Sequence, residues 1–296
     1  MDYNLFKEAI LEALKERFEE DNTIEYREIL KNNGVKLDGI IVRNKNSSIS
    51  PTVYVNECYE RFVAGDELKD IVDYIERIIR ENTITDDFDP DNVMLFDKIK
   101  DRIVFKLINF DMNKDLLETI PYRKYLDLAI VYYISVSEEL FECASILINN
   151  AHMKMWNKTV EEVDELAFKN APLIMKPELK SMAQTMKEIM SKRELDEEDD
   201  FDDNCMFVLS NEKKLFGASA ILYKDIIEDF SERLMSDIYI LPSSVHEVIM
   251  IPSKCVDSVS GLDDMVCEVN ATAVPKVDIL SNHAYKYSRA EKSIVF

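Results

Sequence analysis

The chain has 296 residues, enough for one large domain or two ordinary ones, and 47% of them are apolar, so a sizeable core can form. Its formal net charge is −22. This excess of acid disfavours direct binding to nucleic acid or to an anionic membrane surface, and no apolar run reaches the roughly 20 residues of a membrane span.

The cysteines and the first residues predict a reduced, cytoplasmic protein. The five cysteines are scattered and include no C-x-x-C pair, which argues against a disulfide framework and a structural zinc site. The charged segment Met1–Glu8 is typical of a helix and not of a signal peptide.

Residues 1–90 are predicted to form an N-terminal helix-on-sheet α+β subdomain. Apolar residues at helical spacing predict a helix over 4–19, and Asn32-Asn33-Gly34 predicts a tight hairpin turn. The expected strands are Thr23–Leu30, Val35–Arg43 and Pro51–Asn56, and the expected helices are Asn56–Val63 and Glu67–Asn82, interrupted at Gly65-Asp66. A subdomain boundary is placed in Thr83–Asp91, which is acidic and carries Pro90.

Residues 91–193 are predicted to form a middle α+β segment. Thr159-Val-Glu-Glu162 has the pattern of a capping box, so a helix should begin there and continue through Asn170. The other expected elements are a helix from Val93 through Ile108, two antiparallel strands (Tyr125–Val136 and Glu142–Ile148) that turn at Glu138-Glu139, and a helix over Pro177–Met190.

Residues 194–204 are predicted to be an acidic loop or linker, because Glu194–Asp203 contains eight acids in ten positions and such a run repels itself. The run lacks the glycine and the spacing of a calcium-binding EF-hand. No metal site is therefore predicted in it.

Residues 205–296 are predicted to form a C-terminal α+β segment that packs with 91–193. The expected elements are a strand (Cys205–Leu209), a turn at Gly217, a helix (Ala220–Met235), two strands (Tyr239–Leu241 and Val248–Ile251), a helix after Gly261 (Leu262–Asn270) and a hairpin around Arg289–Glu291. The predicted fold class is α+β, with small antiparallel sheets packed by amphipathic helices in two subdomains.

The bend between the two strands Tyr239–Leu241 and Val248–Ile251 holds the candidate catalytic residues Ser243, Ser244, His246 and Glu247. A hydroxyl near an imidazole is the minimum for nucleophilic catalysis, and in extended chain Ser244 and His246 would share a face. The alternative is structural, because Pro-Ser-Ser is an ordinary turn sequence in which serines bind local backbone groups and the imidazole can hold the turn shut. The sequence favours this structural role.

Cofactor chemistry finds little support in the sequence. The three histidines stand far apart, and no H-E-x-x-H spacing occurs, although a cluster of His246, Glu247 and His283 in the folded chain stays open. Five glycines leave no phosphate-binding loop and no dinucleotide fingerprint. No cofactor and no metal are predicted.

Five phrases together resemble a known family. They are Asn33–Gly39, Ile49–Asn56, Arg102–Asn109, Ile240–Val248, and Glu268–Thr272 followed by His283-Ala-Tyr285. Their order is similar to that in a domain-of-unknown-function family of anaerobic Gram-positive bacteria (gut Firmicutes), often carried on mobile elements, and more distantly to the YtpQ-type bacterial proteins. The resemblance implies a bacterial cytosolic α+β protein and supplies no reaction. Asn270, His283 and Tyr285, in the last phrase, are the candidate binding residues.

The sequence thus favours a cytoplasmic binding or regulatory protein, associated with mobile elements, whose partner is a protein. Two alternatives stay open. One is a hydrolase that uses the serine, histidine and glutamate of the bend. The other is an acidic protein that mimics DNA through Glu194–Asp203.

Overall fold

The computed structural model describes residues 1–18, 22–44, 52–82, 95–136, 145–190, 205–256 and 258–296. The fold class is α+β, as predicted: three sheets, antiparallel in every described strand pair, are packed by helices. Contacts divide the chain into two compact units, one of Met1–Lys31 with Val35–Leu95 and one of Asn32–Gly34 with Phe96–Phe296. Among the described helices, none is long and apolar enough to span a membrane.

The predicted boundary at Thr83–Asp91, the turn at Glu138-Glu139 and the acidic run Glu194–Asp203 all lie outside the described residues. The division of the chain into 1–90, 91–193, 194–204 and 205–296 stays a prediction.

The first unit is a three-stranded sheet packed by helices, and its predicted elements are confirmed. The elements are α1 (Tyr3–Arg17), β1 (Asn22–Leu30), β2 (Lys36–Asn44), β3 (Thr52–Tyr54), α2 (Val55–Ala64) and α3 (Leu68–Asn82). Fully buried side chains from α1 and α3, among them Phe6, Ile10 and Ile75, pack with Ile40 of the sheet. Gly65 ends α2 in the left-handed region at φ +117°, where a residue without a Cβ is favoured.

The second unit begins with a four-stranded sheet around a buried strand. Its elements are α4 (Phe96–Ile99), β4 (Ile103–Asn109), α5 (Lys114–Leu117), β5 (Tyr122–Tyr125), β6 (Leu128–Ser135) and β7 (Ser145–Leu147). Strand β6 pairs with β4, β5 and β7. The predicted helix from Val93 through Ile108 is wrong from Ile103 onward, because β4 is buried on both faces and shows no alternation.

The rest of the second unit forms a six-stranded sheet in the order β13-β12-β10-β11-β9-β8, with helices around it. The elements are α6 (Asn150–Trp156), α7 (Val160–Ile174), β8 (Pro177–Ser181), α8 (Met182–Met190), β9 (Phe207–Asn211), α9 (Ile226–Leu234), β10 (Ile238–Pro242), β11 (Val248–Pro252), α10 (Leu262–Thr272), β12 (Tyr285–Ser288) and β13 (Ser293–Val295). Two predicted helices are shorter than expected: Pro177–Ser181 is a strand, and Gly217–Leu222 forms a 3₁₀ turn before α9.

The two predicted strands that flank the bend, β10 and β11, are the central pair of this sheet, and both of its faces are covered. Alternate side chains such as Leu241 and Ile251 pack against Leu262 and Val266 of α10. The intervening side chains, such as Ile240, point to the opposite face and are fully buried. The bend therefore lies at the end of the central strands of the larger unit.

Candidate functional site

The bend of residues 243–247 is closed by its own backbone and by one serine. The backbone N–H of Ser244 donates to the carbonyl oxygen of Glu247 (3.2 Å), and the Oγ of Ser244 accepts from the N–H of His246 (3.0 Å). Ser244 thus binds a backbone group of the turn, as the structural alternative expects. Among the described residues, the side chains of Ser243 and Glu247 make no hydrogen bond.

Both ring nitrogens of His246 contact groups that lie outside the bend. The backbone N–H of Phe216 donates to its Nδ1 (3.2 Å), and its Nε2 lies 3.4 Å from Oδ1 of Asp278. The Phe216 ring stacks on the imidazole at a centroid distance of 5.8 Å. Because Nδ1 accepts a hydrogen bond, the proton of the neutral ring resides on Nε2, which is directed at Asp278. In this arrangement neither nitrogen is directed at a serine hydroxyl.

Asn270 and Tyr285 hold the chain on either side of His283. The buried amide of Asn270 donates to the carbonyl oxygen of Ser281 and to the side-chain oxygen of Asn282, both at 2.9 Å. The hydroxyl of Tyr285 donates to Asp127 at 2.7 Å, and burial raises the pKa of this phenol. These bonds fix the backbone from which His283 projects, and the side chain of His283 is about half exposed.

His283 and Tyr285 line an open cleft of about 720 Å³ beside α10. Other side chains of its wall are Tyr239, Leu262, Asp263 and Phe296. The Phe296 ring lies 5.8 Å from both the His283 ring and the Tyr285 ring, measured between centroids. We call this the α10 cleft. It brings together two of the three predicted binding residues, with Asn270 fixing the loop before His283.

Asp263 carries the negative charge of the α10 cleft. Its carboxylate accepts from the backbone N–H of Ala284 (2.7 Å) and lies 3.3 Å from Nδ1 of His283. The backbone donor first, and then His283, hold the pKa of Asp263 below its usual range, so the group is ionised at neutral pH. The cleft also contains Lys286, which is paired with Asp237 at 2.8 Å.

Sequence reasoning missed Asp263 and Phe296 at the cleft and Asp278 and Phe216 beside His246. Asp263 stands in the first turn of a predicted helix, where an acid is expected for its effect on helix stability alone. No local pattern marks the other three residues. No cluster of three or more potential metal-binding side chains occurs within the described parts of the chain.

The comparison with protein families gives one match across most of the chain. The model of a family of unknown function (DUF5688) matches residues 3–289. No curated protein and no solved structure matches the chain.

Proposed function

The chain belongs to the family of unknown function DUF5688, and we propose that it acts by binding a partner protein through the α10 cleft. The observation that carries this proposal is the exposed apolar lining of the cleft. Val259 and Phe296 both line it, and they are 55% and 65% exposed. Large apolar side chains grouped around a concave surface are typical of interaction sites.

This proposal has four further parts: a regulatory role, a location in the bacterial cytosol, an association with mobile elements and a distant likeness to YtpQ-type proteins. They follow from the acidity of the chain and from the resemblance of its five phrases. A surface that is ordered before its partner arrives loses less conformational entropy on binding. The hydrogen bonds of Asn270 and Tyr285 supply that rigidity for the cleft.

Photo-crosslinking from inside the cleft tests the proposal. A benzophenone amino acid at position 259 is expected to give one discrete adduct in a lysate of the source organism, and the adduct should weaken in Phe296→Ala. The matched control carries the same group at position 173, where Leu173 is 69% exposed on α7. The partner segment mapped by mass spectrometry is then synthesised and titrated with the pure protein. Identical adducts from both positions, or a mapped segment that does not bind, would refute the proposal.

A hydrolase at Ser243, Ser244, His246 and Glu247 is the second candidate. One observation favours it: the His246 side chain keeps 33% of its surface exposed beside the carboxylate of Asp278, the pairing that orients an imidazole in many hydrolases. The bond from the Phe216 N–H to Nδ1 opposes it. A screen of ester and peptide substrates with wild type, Ser244→Ala and His246→Ala decides, since hydrolysis that is lost in both variants would establish the enzyme.

Mimicry of DNA by Glu194–Asp203 stays a prediction, because the run lies outside the described residues. Competition of the purified protein with duplex DNA for a DNA-binding protein would test it, with the eight acids replaced by their amides as the control.

A further inference from the structure

We infer that the α10 cleft takes a positively charged side chain, an arginine or a lysine, next to an apolar residue of the partner protein. This inference rests on the proposed binding function and adds the chemical class of the occupant. It follows from the charges that face the cleft and from the rings beside them.

The charged groups at the cleft differ in how they are compensated. Lys286 is neutralised by Asp237 at 2.8 Å, whereas within the described residues the carboxylate of Asp263 contacts a backbone N–H and the ring of His283. The side chain of Asp263 keeps 58% of its surface exposed. A cation that enters the cleft can therefore reach this carboxylate and replace His283 as its partner, whereas an anion would meet uncompensated negative charge.

The amino terminus of α10 is the strongest argument for an anion instead, because Gly261 and Leu262 also line the cleft. A helix start carries about half a positive charge. The full negative charge of Asp263, in the first turn of the helix, exceeds it. The site is thus acidic despite the helix dipole.

Aromatic rings also face the cleft. Tyr239 and Phe296 present aromatic surface to it, and Phe296 is the more exposed of the two, whereas the Tyr285 ring is buried behind them. A guanidinium or ammonium group is attracted to the face of an aromatic ring, and the stem of an arginine or lysine side chain packs against apolar surface while its head stays polar. The exposed Val259 offers a contact to a neighbouring apolar residue of the same segment.

Capped tetrapeptides that differ at one position provide the test. They carry arginine, norleucine or glutamate beside a leucine, and they are titrated into the isotopically labelled full chain by NMR. The amide of Ala284 reports directly on the carboxylate of Asp263, to which it donates. We expect the arginine peptide to shift this amide, to bind at least about tenfold more tightly than the norleucine peptide, and to weaken between 50 and 300 mM salt.

Variants distinguish the effect of the Asp263 carboxylate from the effect of negative charge elsewhere on the surface. Asp263→Asn should remove the tenfold preference for arginine, because its amide oxygen still accepts from Ala284 but carries no charge. Asp264→Asn makes the same change in net charge at a residue that does not line the cleft, and it should keep the preference. Phe296→Ala should weaken both the arginine and the norleucine peptides, and Met265→Ala, at an exposed residue outside the lining of the cleft, should weaken neither.

Three results would overturn the inference: equal binding of arginine and norleucine peptides, equal effects of the two aspartate variants, or tight binding of methylguanidinium alone, which would indicate a small-molecule cation. If crosslinks form from position 259 while these peptides fail, the inference about charge falls and the binding function stands. If neither occurs, both fall.

Discussion

Buried asparagine side chains hold the segment Lys276–Leu280 of the second unit. The side-chain amide of Asn33 donates to the carbonyl oxygens of Lys276 and Ile279, both at 2.7 Å, and that of Asn109 donates to Leu280 at 3.1 Å. Asn33 stands at φ 59°, in the left-handed region that asparagine tolerates better than most residues. Asn33 thus adopts the left-handed conformation that the turn requires, and its side chain donates to the carbonyl groups of a distant segment.

Replacing Asn33 by alanine should cost far more than the same change at an exposed asparagine of equal backbone conformation. Asn157 ends α6 at φ 51° and is exposed, so Asn157→Ala measures the cost of alanine in the left-handed region. Asn33→Ala also removes two hydrogen bonds to part-buried carbonyl groups and the bond that Asn33 Oδ1 accepts from the buried amide of Asn113, and a buried group left unpaired costs about 1–3 kcal/mol. We expect urea unfolding to give Asn33→Ala at least about 2 kcal/mol less stability than Asn157→Ala. Equal losses would mean that the buried bonds contribute nothing.

Gly217 allows the chain to pass close to the bend that contains His246. A Cβ at this position would lie 2.5 Å from the carbonyl oxygen of His246 and 2.7 Å from the backbone nitrogen of Asn211, and it would also overlap the hydroxyl of Ser210. Two of these three atoms belong to the backbone and cannot rotate away. The close approach, and not an unusual φ, therefore requires glycine here.

We expect Gly217→Ala to lower the free energy of unfolding by about 2 kcal/mol or more, the cost of overpacking a filled site. Removing the hydroxyl in the double variant Ser210→Ala/Gly217→Ala should not restore stability, because the clashes with His246 and Asn211 remain. Denaturant unfolding of both variants and of Ser210→Ala alone measures this. Recovery in the double variant would place the conflict at the serine.

At the scale of elements, the start of α7 is set by a reciprocal pair of hydrogen bonds. The hydroxyl of Thr159 accepts from the backbone N–H of Glu162 at 3.3 Å, and the Glu162 side chain accepts from the N–H of Thr159 at 2.9 Å. The structure confirms this predicted capping box.

Thr159→Ala should lower stability by about 1 kcal/mol. Thr159→Ser and Glu162→Gln, which keep the accepting oxygens, should stay close to wild type in the same unfolding assay; a loss in Glu162→Gln equal to that in Thr159→Ala would assign the effect to charge.

Elements that depend on a few adjacent residues could be predicted from the sequence. Elements whose conformation depends on burial or pairing in the folded chain could not. The hairpin at Asn32–Gly34 and the capping box depend on a few adjacent residues. Strand β4 is buried on both faces, so its continuous apolar run fits a buried helix as well as a strand. Strand β8 is a short edge strand that begins with Pro177 and carries charged residues, and only its pairing with β9 makes it a strand.

The candidate site was predictable only in part, for a similar reason. A local cluster of polar residues marks the bend in the sequence, but the partners of His246 come from positions 216 and 278. Only the family resemblance of the last phrase points to His283 and Tyr285. Their neighbours Asp263 and Phe296 reach the cleft through the packing of α10 and through β13, so no spacing in the sequence records their meeting.

At the scale of the whole molecule, the net charge of −22 causes a repulsion between acidic side chains that individual ion pairs do not remove. Most described pairs include at least one exposed side chain, and some, such as Lys36 with Glu28 and Lys114 with Asp111, join two. Ion pairs at the surface contribute little to stability and are screened by salt. The excess acids repel one another across the surface and destabilise the compact chain.

Salt should therefore stabilise this protein at neutral pH and do much less near its pI of about 4.6. At pH 7, raising NaCl from 20 to 300 mM shortens the Debye length from about 20 to about 6 Å, so the self-repulsion of the folded chain weakens and Tm should rise. At pH 4.6, the pI of the chain, its net charge is close to zero, so the same addition should shift Tm only slightly. Thermal unfolding at both pH values measures the difference, with the pH 4.6 series as the control for effects of salt on water and apolar surface. An equal rise at both pH values would assign the stabilisation to those general effects, and a fall at pH 7 would mean that attractive pairs outweigh the repulsion between the acids.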